Sequence, residues 1–170
     1  MTASPHSQIL IDFSSEKEID RWSAADDVVM GGVSSSRLVA TASGTALFTG
    51  NLSLDSGGGF ASVRSNRASR NLMDAQALVV CIRGDSKRYK LRLRTTYLYD
   101  GVSYLAPFET EFDTWKELTF TPSDFVPSWR GRPVKTAPAL SFADVQSFGL
   151  LIADRQAGAF ELELAWIAKA

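Results

Sequence analysis

The chain is poor in the residues that do most protein chemistry. Its 170 residues hold one histidine and one cysteine. A Ser–His–Asp or Cys–His site needs a base held rigidly beside its nucleophile. His6 sits in a stretch expected to fray, so nucleophilic catalysis is set aside and no catalytic residue is expected. Zinc draws on clusters of Cys and His, which one residue of each does not supply. A single thiol forms no disulfide within the chain, which favours a reducing compartment, and a cytoplasmic location is expected. Cys81 lies in the apolar run "ALVVCIRG" and reads as a small hydrophobe. No apolar run approaches the ~20 residues of a membrane-spanning helix. The opening "MTASPHSQILIDF" has no basic region, long apolar run or arginines, so no leader peptide is expected. Excess positive charge is also missing, with 18 Lys and Arg against 19 Asp and Glu. That balance argues against nucleic acid held mainly through phosphates.

What the chain has is strand pattern. Hydrophobic residues are 45% and charged residues 22%, the ordinary globular range. The length suits one domain over residues 1–170, with its core at about 9–167. "QILIDF", "SRLVATA", "TALFTGNLSL", "FASVRS" and "ALVVCIRG" are short apolar or alternating runs between turn residues. "YKLRLRTTYLY" puts Leu91, Leu93, Thr95 and Tyr97 on one face and Lys90, Arg92, Arg94 and Thr96 on the other. "APFETEFD", "KELTFT", "QSFGLLIA" and "GAFELELAWIA" complete about nine strands, the pattern of an all-β sandwich or barrel. The last run aligns Phe160, Leu162, Leu164 and Trp166 on one face. Helix is confined to Ser14–Trp22, with Ser14 or Ser15 as N-cap, and to turns at "TPSDF" and "SFADVQ". Long irregular stretches run over Ser23–Ser36, Ser65–Ala75 and Val126–Ala139.

The densest polar stretch is "DDVVMGGVSSSR", Asp26 to Arg37. It lacks the lysine of a phosphate-binding P-loop and the spacing of a dinucleotide fingerprint. Its glycines would make a small anion nest or, more plainly, reverse the chain through positive φ. Asp26, Asp27, Asp55 and Asp154 are oxygen donors of the kind calcium takes, without an EF-hand spacing; no metal or other cofactor is expected. Neighbouring acids such as Asp26 and Asp27 point apart on an extended chain, which does not suit paired-carboxylate hydrolysis. Arg92 and Arg94 are expected to face Glu109 and Glu111, or Glu161 and Glu163, across neighbouring strands. Trp129, in "PSWRGRPV" with Arg130 and Arg132, has the composition of an interface anchor or a sugar-stacking platform.

Taken in order, "W…DDVVMGGVSSSR", "LFTGNLSL", "GGGFASVRS", "IRGDSKRYKLRLR", "F…W…F…DF…RGR", "SFGLLIAD" and "GAFELELAWI" resemble the complex I intermediate-associated protein family over about Ile9 to Ile167. The resemblance implies a galactose-binding-domain-like jelly-roll sandwich. It also implies a non-enzymatic, chaperone-like role in contact with a protein partner, a respiratory-complex subunit or assembly intermediate. The family's signature positions fall here on Trp22, Asp27, Met30, Gly31, Gly32, Ser34, Gly58, Gly59, Phe60, Ser62, Arg64, Gly84, Asp85, Tyr89, Trp115, Phe125, Arg130 and Gly131. Val28 stands where the family tends to carry a more flexible residue. The compact span favours a bacterial member.

The expectation is therefore a binding module. Asp27, Met30, Arg64, Trp129, Arg130 and Arg132 are its candidate contact residues. Trp22, Gly31, Gly32, Gly58, Gly59, Phe60, Asp85 and Trp115 are its structural motif. The "DDVVMGG", "GGGFASVR" and "SWRGR" segments are expected to meet at one end of the sandwich, with Asp27 paired to Arg64 or Arg130. The alternative is a carbohydrate-binding module of the same fold.

Overall fold

The computed structural model describes residues 8–26, 31–96 and 101–170. Within them the strands form two antiparallel sheets. The first runs β3 (Ser35–Ala40), β4 (Ala46–Leu52), β13 (Gly158–Lys169), β6 (Leu78–Arg83) and β9 (Trp115–Phe120), with β1 (Gln8–Asp12) paired to the end of β13. The second runs β11 (Arg132–Pro133), β10 (Val126–Trp129), β8 (Ser103–Glu109), β7 (Arg88–Thr95), β12 (Val145–Ile152), β5 (Ala61–Ser65) and β2 (Trp22–Ala24). The only α-helix among the described residues, α1 (Glu16–Ile19), is capped by Ser15, whose Oγ accepts the Glu18 amide at 3.4 Å. The turns expected at "TPSDF" and "SFADVQ" are 3-10 turns at Pro122–Asp124 and Phe142–Asp144.

Alternation places the core. On β7, Tyr89, Leu91, Leu93 and Thr95 are buried while the three basic residues between them, Lys90, Arg92 and Arg94, face outward. The inner faces meet in a run of rings: Phe160 to Phe48 at 5.0 Å, Phe48 to Tyr89 at 6.2 Å, and Tyr89 to Phe108 at 6.0 Å. The run continues through Phe120, Phe125 and Phe142. Each fully buried ring contributes about 1.5–3 kcal/mol of transfer free energy.

Two strand expectations are corrected. Trp166 does not share a face with Phe160, Leu162 and Leu164. The register of β13 shifts between Leu164 and Trp166, and this bulge turns Trp166 outward into a small cluster with Cys81 and Ala165. β2, β10 and β11 form inside or beside stretches read as irregular. "WSA", "VPSW" and "RP" carry no alternation of their own, and a neighbouring strand supplies the reason for them to be extended.

Candidate functional site

Two residues past β2, the Asp26 carboxylate bridges the edges of both sheets. Its Oδ1 accepts the Ser62 amide on β5 at 2.9 Å and the Ser36 hydroxyl on β3 at 2.5 Å. Its Oδ2 accepts the Ser36 amide at 3.0 Å. The Ser62 hydroxyl returns a bond to the Ala25 carbonyl. β3 belongs to the first sheet and β5 to the second, so one carboxylate closes the sandwich along this edge. A Cβ on Gly31 would lie 3.9 Å from the Ser56 carbonyl oxygen, which places Gly31 beside the turn that leads into "GGGF". Gly57, beside Gly58 and Gly59, turns the chain at φ +76° into half-buried Phe60 and β5. Gly32 is buried behind Gly31. Asp27 and Met30 lie outside the described residues, so their expected contacts do too. The acid that holds the described part of this turn is Asp26, and its partners are serines rather than arginines.

The "SWRGR" segment does not join that cluster. Trp129 and Arg132 pair across a two-residue hairpin, with Arg130 at φ +50° and Gly131 at φ +79°, the backbone of a tight β-turn. The hairpin lies at the far edge of the second sheet, four strand spacings from β5, or about 19 Å. It also extends past the opposite end of the strands from Ser62, as the registers of β10, β8, β7 and β12 require. Trp129 is 48% exposed. The Arg130 guanidinium stacks 4.8 Å from its ring centroid, and the indole stands against the backbone at Gly101.

Trp22 and Asp85 hold local structure together. Trp22 is buried against Phe13 and donates through Nε1 to Glu18 at 3.2 Å. Asp85 organises the β6–β7 turn, accepting the Lys87 amide at 3.1 Å, the Tyr89 hydroxyl at 3.0 Å and the Glu161 amide at 2.8 Å. Burial, then the adjacent Asp85 charge, pushes the Tyr89 phenol far above its ordinary range, so it remains a donor.

Charge on the sheet faces departs from the expected pairing. Arg92 faces Gly149 and Leu105 across the ladder, not a glutamate. Glu163 lies in the first sheet and holds Arg83, whose Nε donates to Oε2 at 2.8 Å. Thr45 Oγ1 donates to the other Glu163 oxygen at 2.6 Å. Arg83 also lies 5.4 Å from the half-buried Trp115 ring. These residues, with Asp12, Ser14 and Trp166, line a 430 Å³ groove on the outside of the first sheet. Trp166 Nε1 is buried there without a hydrogen-bond partner among the described residues. Sequence reasoning missed this groove because the bulge that brings Trp166 to it leaves no mark in the alternation.

Two sheets in this strand order define a galactose-binding-domain-like jelly-roll sandwich. The solved family 11 carbohydrate-binding module of the Clostridium thermocellum cellulase Lic26A-Cel5E superposes with a TM-score of 0.69 at 14% identity, covering 99% of this chain and 96% of that one. At that identity the likeness is one of fold. The chain belongs to the complex I intermediate-associated protein 30 (CIA30) family, whose model matches residues 11–164. It is similar to the probable mitochondrial complex I intermediate-associated protein 30 of Caenorhabditis elegans, 27% identical over 184 residues, covering 95% of this chain and 54% of that protein. The Drosophila melanogaster mitochondrial protein of the same name is 24% identical, with 94% of this chain and 61% of that protein covered. The chain thus spans little more than half the length of these relatives.

Proposed function

We propose that the chain is a non-enzymatic binding module that contacts a protein partner, in a chaperone-like manner, during assembly of respiratory complex I or a related complex. Membership of the CIA30 family carries this reading. The Trp129–Arg130 stack supports it, because an exposed indole braced by a guanidinium on a stiff hairpin has the make-up of an interface anchor. Arg132, opposite Trp129, would add charge at the rim. Arg64 lies four strands away and would belong to a separate contact. Buried Cys81 suits the reducing compartment, the cytoplasm, that we assign to it. Affinity capture of the tagged protein from its native cells, followed by mass spectrometry, tests the proposal. Respiratory-complex subunits should co-purify, and fewer should do so with Trp129→Ala. Their absence from repeated captures would sink the assembly role.

A carbohydrate site is the second reading, favoured by the groove that holds partly exposed Trp115 with Arg83 and Glu163. An aromatic ring beside charged hydrogen-bonding groups suits a sugar ring. A blank glycan array would remove it.

A further inference from the structure

We propose that Arg64 and Arg92, standing on either side of Gly149 on the outer face of the second sheet, form a binding site for the phosphoryl group of a small molecule. This inference does not depend on the assembly role. The three residues share one row of the ladder: Gly149 pairs with Arg64 on β5 and with Arg92 on β7. A Cβ on Gly149 would lie 3.5 Å from the Arg92 Cβ and 3.6 Å from the Arg64 Cβ. The Val63 carbonyl oxygen would lie nearer still, at 3.1 Å, and Gly149 itself is buried, so the glycine lets the two arginine stems pack close together with nothing larger between them.

Neither guanidinium has a carboxylate partner among the described residues. Arg92 Nε is buried and makes no hydrogen bond among them. The acids along β7 are used elsewhere. Asp154 pairs with Lys90 at 3.5 Å, and Glu109 sits opposite Arg88 at the far end of the strand. The nearby hydroxyls are committed too, Ser62 to the Ala25 carbonyl and Ser147 to the Ser65 carbonyl. Buried Leu105 ends the row beyond Arg92 on β8, and buried Leu151 stands two residues along β12 on the same face.

Burial, reinforced by the charges of Arg94 and Arg64, pushes the Arg92 guanidinium down to about 10. It is still charged at neutral pH, so two like charges are held close at a cost that an anion would offset. Each guanidinium presents a planar fork of N–H donors that matches phosphoryl oxygens. Two positive charges balance a phosphate monoester, which carries about −1.5 to −2 at neutral pH. A single carboxylate would leave half the charge uncompensated.

The test is an NMR titration of the isotope-labelled full chain at constant ionic strength and about pH 7.5, where phosphate is mostly dianionic. Inorganic phosphate, glycerol phosphate and malonate are added in separate arms. The Gly149 amide and the Arg64 and Arg92 Nε–H signals should shift and saturate with a phosphate. Malonate, a carboxylate dianion, should bind at least about tenfold more weakly. Tighter binding of glycerol phosphate than of inorganic phosphate would identify an ester as the ligand; the reverse would identify free phosphate. Arg92→Gln and Arg64→Gln should each weaken binding at least about tenfold, and Arg92→Lys should retain part of it. No saturable shift at these signals, malonate binding as well as phosphate, or unchanged affinity in folded Arg92→Gln would each overturn the site. Because the map is read on the wild-type chain, a variant that fails to fold does not obscure the answer.

Discussion

Asp26 and Ser36 meet through two hydrogen bonds, hydroxyl to Oδ1 at 2.5 Å and amide to Oδ2 at 3.0 Å, and the same carboxylate takes the Ser62 amide at 2.9 Å. Ser36 and Ser62 belong to different sheets. The carboxylate thus joins the two layers at one edge, as Asp85 does elsewhere by accepting both the Tyr89 hydroxyl of the second sheet and the Glu161 amide of the first.

Replacing Asp26 with Ala would leave the Ser36 and Ser62 amides without their charged acceptor. Bonds to a charged group contribute about 1.5–3 kcal/mol where a neutral pair contributes about 1. Asp26→Ala should therefore lower stability by about 2–3 kcal/mol, and Asp26→Asn by less, since one oxygen remains. Urea midpoints of the two variants against wild type measure this. Equal midpoints would show that the bridge adds nothing net.

Gly84 sits against Thr110: a Cβ at Gly84 would fall 2.0 Å from the Thr110 Cβ. Thr110 has little freedom to withdraw, because its hydroxyl donates to the Lys87 carbonyl at 2.7 Å. Gly84→Ala should cost at least about 1–3 kcal/mol by overpacking. In a double-mutant cycle with Thr110→Gly, the two costs should be far from additive. Additive costs would mean that the backbone yields instead.

The Cys81 thiol is pushed up to about 11, first by burial and then by the Glu117 charge. In the unfolded chain it titrates near the ordinary 9.0. The folded value is the higher one, so the thiol's contribution is complete below pH 9.0 and is lost as pH rises toward 11. Wild type should lose more stability than Cys81→Ala between about pH 8 and about pH 10.5, and the difference isolates this group from the lysines. Parallel losses in the two proteins would remove the effect. The native thiol should also resist a thiol reagent that labels the unfolded chain at once.

Trp129 is half in solvent, and its stack on Arg130 contributes about 0.5–1 kcal/mol. Trp129→Ala should therefore shift the unfolding midpoint little while reducing partner capture. A large loss of stability would instead make Trp129 a structural residue of the hairpin.

The jelly-roll class was legible because alternation survives in most strands. Leu91 and Leu93 against Arg92 and Arg94, or Phe108 against Glu109, declare an inner and an outer face before any partner is known. The cap at Ser15 and the two 3-10 turns were legible for the same reason, since each rests on contacts a few residues apart. Family membership was legible because the motifs stand in order along the chain.

Which residues meet was another matter. The bulge in β13 changes the face of Trp166, and the pairing of β7 with β12 puts Gly149, not a glutamate, beside Arg92. The order of seven strands in one sheet parts Trp129 from Ser62, although both lie in motifs that read alike on paper. By itself the sequence determined the layers, the turns and the family, all written in local periodicity and short-range chemistry. Only the tertiary structure decided the neighbours, because register and strand order arise from contacts between residues far apart in the chain. On the outer face of the second sheet, those contacts leave two arginines flanking a glycine.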